Sequence, residues 1–325
     1  MSRYPIITLA LSVSILAGSC YTSQLSLDVL EPAKNILPSS IQRLSVLPMP
    51  GAPSAHFDSL VFLWVESGTD IYEIKMGYLY GIHDVLSTSP RLQRVILSDT
   101  TGTNFKKTGW LYWDDLKRVC ANDTTDIVLV LTRAISHDFY PAGLNKSSNG
   151  SVSLVDYSII NKTRWIFYEP KTEQIITRFE FADTVKIMGD LMSFEVPDML
   201  YESCYLAGQR TGKRLSPYWQ NVSRILYSGP GKDLKDAAEF AGKNHWYKAS
   251  LIWNELIEHR NTKIASRAAF NLALAFEQDD ELDQANLWIA YSDSISTNKQ
   301  TLSYRKILDT RLKNKTFLEE QLTGH

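Results

Sequence analysis

The sequence predicts an α+β protein, with an N-terminal α/β half followed by α-helical hairpins at the C-terminus. Three observations carry this reading. Strand-length apolar runs alternate with helix-spaced apolar positions between residues 41 and 132. Strand-like runs separated by turn residues then continue to residue 181. Finally, residues 231–325 contain two stretches that superpose at an offset of 36.

Composition narrows the class. The chain has 325 residues, 44% of them hydrophobic, which is enough for one large or two smaller cores and excludes wholesale disorder. With 34 Lys+Arg against 36 Asp+Glu, non-specific nucleic-acid binding is disfavoured. Three cysteines exclude a disulfide-dense scaffold and a four-thiolate zinc site.

The first element is Arg3 followed by the apolar run Ile6–Leu16 and the small residues Ala17, Gly18 and Ser19, with Cys20 next. The run is shorter than the ~20 residues of a membrane-spanning helix and reads as a secretory signal. Together these residues resemble the lipobox of bacterial lipoproteins. That resemblance implies a signal peptide over residues 1–19, lipidation at Cys20 and an anchor in the outer membrane of a cell envelope. Tyr21 in place of Asp, and no acidic cluster over Thr22–Leu27, imply a periplasm-facing protein. Residues 20–40 are expected to be a tether. Leu25, Leu27 and Val29 alternate well enough for a short edge strand, and Pro32 and Pro38 prevent any regular element after it.

Residues 41–197 form the expected α/β domain. Ile41–Leu47 reads as a strand closed by Pro48-Met49-Pro50-Gly51, and Leu60–Val65 is a second apolar run. Ile71, Ile74, Tyr78, Ile82, Val85 and Leu86 share one helix face. Leu92–Leu97 is a strand, and Trp113, Leu116, Val119 and Cys120 mark a short helix. Asp126–Thr132 is nearly continuous in apolar residues, as a central strand is. After a polar loop at Gly143–Ser151, three antiparallel strands are expected: Val152–Ile160, Thr163–Tyr168 and Gln174–Phe181. Asn161-Lys162 and Pro170-Lys171-Thr172 would supply the turns. The first strand ending in Leu47-Pro48, the Pro90-to-Val95 strand and the Thr125-to-Leu131 strand resemble the small α/β domains of periplasmic assembly factors of the curli-secretion and TolB amino-terminal types.

Residues 198–230 are read as linking helices, at Asp198–Ala207 and Tyr218–Tyr227. In the repeat, Leu234, Ala237, Phe240, Asn244, Trp246, Ala249, Leu251 and Trp253 fall on Phe270, Ala273, Phe276, Asp280, Leu282, Ala285, Leu287 and Ile289. Each copy reads as helix, polar turn, helix, similar to tetratricopeptide repeats. Leu302–Leu322 would cap them, with Tyr304, Leu308 and Leu312 inward and Arg305, Lys306, Arg311 and Lys313 in solvent. The lipobox, Val29–Lys34, Ser216–Tyr227 and the C-terminal hairpins together resemble an uncharacterised family of Bacteroidota lipoproteins, from which no catalytic residue can be carried over.

Chemistry is sparse. Gly208-Gln-Arg-Thr-Gly212-Lys213-Arg214 lacks the spacing of a phosphate loop. His83 flanks an apolar helix face, and no histidine has metal-ligand spacing, so no metal or cofactor is expected. Cys120 and Cys204 lie on apolar helix faces, where a cysteine acts as a small hydrophobe. Asp114 and Asp115 are adjacent and are expected to be solvated. Arg210, Lys213, Arg214 and Arg224 form a basic cluster that either meets an anionic partner or pairs with local acids.

The sequence therefore favours a lipid-anchored protein-interaction or envelope-assembly module over an enzyme. Its partner would dock on the hairpins around Asn271, Gln278 and Trp288, or at Arg210, Lys213 and Arg214. The alternatives are an enzyme acting on envelope carbohydrate, which needs two facing carboxylates, and a small-ligand-binding lipoprotein.

Overall fold

The computed structural model describes residues 21–35, 37–48, 71–98, 111–145, 154–190 and 196–323. The signal segment, Cys20 and the Leu60–Val65 run lie outside these. The protein is α+β. Its chain divides into a sheet unit, Leu30–Trp219 with Phe317–His325, and a helical unit, Gln220–Thr316 with the chain up to Val29.

Among the described residues the sheet unit is built on five strands in the order β3-β2-β4-β5-β6. They are β2 (Arg43–Pro48), β3 (Arg94–Leu97), β4 (Ile127–Asn145), β5 (Leu154–Glu169) and β6 (Gln174–Asp190). β2 runs parallel to both β3 and β4, while β4, β5 and β6 form an antiparallel meander. Helix α1 (Ile71–Ser87) precedes β3, and α2 (Trp113–Asp123) precedes β4. The chain steps one way across the sheet from β2 to β3 and back from β3 to β4. Right-handed crossovers therefore place α1 and α2 on opposite faces.

Strand periodicity sorts the side chains. Leu44, Val46, Ile127, Leu129 and Leu131 pack with Tyr78, Leu79 and Ile82 of α1 and with Leu200, Cys204 and Ala207 of α3 (Val196–Leu215). Leu47, Val128 and Val130 face the other way, onto Leu116 and Val119 of α2.

Helices α1 and α3 meet through glycine. A Cβ at Gly81 would collide with the Tyr205 carbonyl oxygen, and one at Gly208 with that of Tyr78. The Gly208…Gly212 spacing, which superficially suggests a phosphate loop, is thus the contact ridge of a helix pair.

A bulge in β4 changes the phase of the strand. Leu131 pairs with Trp165, but Arg133 pairs with Arg164, leaving Thr132 as the extra residue. Its hydroxyl donates to the Arg164 carbonyl at 3.2 Å, making good part of the interrupted ladder. Beyond it, Ala134 and Ser136 take the core side, while Arg133 and Ile135 turn to the face that α2 occupies further along.

The expected turn at Asn161-Lys162 does not exist, because β5 runs unbroken through it. Asn161 is a buried strand residue. Its carboxamide oxygen accepts from Tyr78 at 2.6 Å and Ser136 at 2.8 Å, and its nitrogen donates to Ser203 at 2.7 Å. A carboxamide bonded through both its oxygen and its nitrogen can sit inside a sheet, so a dipeptide typical of turns misleads here. The real turn, residues 170–173, ends at Glu173 with φ 57°.

In the helical unit, β1 (Thr22–Glu31) pairs with β7 (Tyr218–Tyr227). The expected second linking helix is thus a strand, and much of the expected tether is its partner. Val222, Ile225 and Leu226 imitate helical spacing, but the aromatic and β-branched content of the segment suits a strand. Asn221 donates to Asp28 at 2.8 Å and Ser228 N–H to Tyr21 O at 2.9 Å, so the pair runs antiparallel.

Helices α4 (Lys232–Gly242), α5 (Trp246–Leu256), α6 (Thr262–Gln278) and α7 (Leu282–Ile295) form two hairpins. The 36-residue offset survives in backbone detail. Asn244 and Asp280 both take left-handed φ, 61° and 57°. The next N–H in each case, His245 and Glu281, closes onto Phe240 and Phe276 at 2.8 and 2.9 Å. Ala237 and Ala273, and Ala249 and Ala285, are fully buried where the helices approach. The last helix, α8 (Lys299–Thr323), buries Tyr304 and Leu308 as expected. It also buries Arg311, which was expected in solvent.

Candidate functional site

The helical unit has a charged core. Glu277 of α6 is buried, and Arg224 of β7 forks onto its carboxylate at 2.9 and 2.8 Å. Arg311 of α8 donates to Glu277 at 2.9 Å and to Asp280 at 2.8 Å, and the Tyr304 hydroxyl donates to Glu277 at 2.7 Å. Burial opposes ionisation of Glu277, but the Arg224 fork, with Tyr304 and Arg311, outweighs it and holds the carboxyl below the usual range. Burial, then the Glu277 charge, pushes the Tyr304 phenol well above its ordinary value. A carboxylate so fully engaged is a clasp between three elements and is poorly placed to act as a general acid or base.

Beside this clasp lies a groove between β7 and α8, about 350 Å³ in volume. Ser223 and Ile225 form one wall, Phe270 and Tyr304 line it, and Ser303 and Ile307 belong to α8, with Lys299 and Gln300 at the start of that helix. Among the described residues the lining holds no Asp or Glu.

The strand wall is chemically unfinished. Tyr227 turns its N–H and C=O away from β1, and the Asn271 carboxamide takes both, at 3.0 and 2.8 Å. In an antiparallel ladder alternate residues share an edge, so Ile225 and Ser223 point their backbone groups the same way. Among the described residues no hydrogen bond reaches the Ile225 N–H or C=O from that side.

These positions revise the expected site. Asn271 is fully buried against β7 and cannot form part of an open contact surface. Gln278 is exposed at the end of α6, and Trp288 is half-buried, stacked on Phe276 at 6.5 Å.

The expected basic cluster also dissolves. Arg214 forks onto Asp183 at 2.7 and 2.6 Å, and Arg210 donates to the Thr184 carbonyl at 2.7 Å. Lys213 sits 5.2 Å over the Tyr218 ring, while Arg224 belongs to the Glu277 clasp. Asp115 is buried and bound by Arg118, contrary to the expectation of a solvated pair. Cys120 and Cys204 are free thiols, and burial pushes the Cys204 thiol up to about 11, which leaves it inert near neutral pH. His83 is half-buried, 3.7 Å from the Asp84 carboxylate. Among the described residues no cluster of His, Cys, Asp or Glu could hold a metal, and no helix is long and apolar enough to cross a membrane.

Residues 235–310 match a domain of unknown function, DUF6340, and residues 74–227 match another, DUF8603. No curated protein matches the sequence. Among solved structures, a protein titled a neuraminyllactose-binding hemagglutinin homolog from Helicobacter pylori aligns at 15% identity and TM-score 0.31, covering 57% of this chain and 89% of that one. A PelC dodecamer from Paraburkholderia phytofirmans aligns at 8% identity and TM-score 0.25, covering 60% and 99%.

Proposed function

We propose that the protein is a lipid-anchored, periplasm-facing interaction module that captures an extended segment of a partner protein in the β7–α8 groove. The observation that carries this is the unfinished β7 edge. The free backbone groups of Ile225 border a groove with an apolar floor, and an added strand satisfies such groups while seating alternate side chains. The lipobox residues ending at Cys20 support the anchored form. The engaged state of Glu277 supports binding rather than catalysis.

The test is site-specific photocrosslinking in the native host from a probe placed at Ser303. Proline at position 225 removes the N–H that an incoming strand needs but leaves the β1 ladder intact, because that N–H faces away from β1. A crosslinked partner that disappears with Ile225→Pro and persists with Ile225→Val is expected. Equal crosslinking in both variants would sink the reading. Cys20→Ser should release the protein from the membrane fraction. Protease should reach the wild type only after the outer membrane is permeabilised, and digestion in intact cells would refute the periplasmic placement.

A further inference from the structure

The sheet unit holds a second candidate surface, made by the bulge at Thr132. Beyond α2, the face carrying Val128 and Val130 continues along the sheet. There β4 contributes Arg133 and Ile135, β5 contributes Lys162 and Arg164, and β6 contributes Glu180 and Ala182. These residues border a shallow cavity of about 350 Å³. Arg164 bonds Glu180 at 2.6 Å, whereas no acidic group is placed against Arg133 or Lys162 among the described residues. Both are exposed.

Register makes the arrangement unusual. Arg133 and Arg164 are direct cross-strand partners, and Lys162 is one row along. Like charges directly opposite on neighbouring strands repel and weaken the sheet. The three cations less Glu180 leave a formal charge of +2 around the cavity. Arg178 and Lys186, on the same face of β6, reinforce its sign.

We propose that this face binds a phosphate monoester group, held between the Arg133 and Arg164 guanidiniums with Lys162 beside it. Guanidinium forks match phosphate oxygens in pairs. The charge of a monoester near neutral pH, about −1.5 to −2, matches the local excess, whereas a single carboxylate leaves half of it unmatched. The group can belong to a soluble molecule or to a lipid headgroup, since both present the same oxygens.

The experiment uses the full chain in two arms: titration with glycerol 3-phosphate, and sedimentation with phosphatidylcholine vesicles with and without phosphatidic acid. Binding in the first arm identifies a soluble ligand, and binding confined to phosphatidic acid vesicles identifies a headgroup. In either case Arg133→Gln with Lys162→Gln should weaken it by about tenfold or more, and rising salt should weaken it too. Arg133→Gln alone should raise the melting temperature of the ligand-free protein, by relieving the repulsion, and reduce the further rise given by ligand. Absence of binding in both arms, undiminished binding by the double variant, or equally tight binding of acetate would overturn the proposal.

Discussion

The Asn271 carboxamide makes both hydrogen bonds that a neighbouring strand would give Tyr227, accepting from its N–H at 3.0 Å and donating to its C=O at 2.8 Å. Both residues are buried, so no water stands ready to replace the amide. Asn271→Ala leaves two buried backbone groups unmatched, at a cost of about 1–3 kcal/mol each. The expected loss is about 2–6 kcal/mol in urea denaturation. Asn271→Asp should also destabilise, because it keeps the acceptor for Tyr227 N–H but removes the donor to its carbonyl.

The contrast with the rest of the repeat explains what the sequence revealed. Ala237 and Ala273, or Asn244 and Asp280, announce themselves because a hairpin repeat imposes the same local demand twice. Asn271 breaks that correspondence, since its counterpart at 235 is Lys. Its role depends on β7, more than forty residues upstream, and β7 itself reads as a helix because Val222, Ile225 and Leu226 imitate that period. The cationic face was hidden for a different reason. Arg133, Lys162 and Arg164 come together only through cross-strand register and one bulge, and a bulge leaves little trace in composition. Arg210, Lys213 and Arg214 looked like a site because they are close in sequence, although Arg214 is paired with Asp183.

Glu277 gives a pH prediction. Its folded carboxyl is held below the ordinary value, so its ionised form contributes stability above the unfolded carboxyl pKa of about 4.3. That contribution is lost as pH falls through the lower, folded pKa. Wild type should therefore lose urea resistance on acidification from pH 5 towards pH 3 (roughly the carboxylate range). Glu277→Gln should be weaker at pH 7 by about 3–5 kcal/mol, because the neutral amide withdraws the buried negative charge that Arg224 and Arg311 share. The gap between the two proteins should narrow as pH falls. A constant gap from neutral pH downward would contradict the assignment.

At the α1–α3 crossing, helix propensity and packing make opposite predictions. Alanine is favoured over glycine by about 1 kcal/mol inside an isolated helix. At Gly81 and Gly208, however, a methyl group would strike the facing backbone, which has no flexible end to yield. Overpacking of this kind costs about 1–3 kcal/mol and more where backbone must shift. Gly81→Ala and Gly208→Ala should therefore lower the melting temperature. A rise in either variant would mean that the helices are further apart than described.

Thr124 offers the opposite sign. It caps the C-terminus of α2 with φ 58° and ψ 48°, and its N–H donates to the Cys120 carbonyl. Left-handed backbone suits glycine, and a β-branched side chain is strained there by about 1–2 kcal/mol. The residue is exposed, so its methyl and hydroxyl contribute little to the core. Glycine does cost more conformational entropy on folding, which takes back about 0.5–1 kcal/mol. Thr124→Gly should still stabilise the sheet unit, by about 0.5–1 kcal/mol after that offset. Thr124→Ala should change stability less, because alanine keeps the Cβ that left-handed backbone disfavours. Denaturation curves of the two variants compared with wild type decide the matter: an unchanged or lowered midpoint for Thr124→Gly would show that the αL strain has been overestimated.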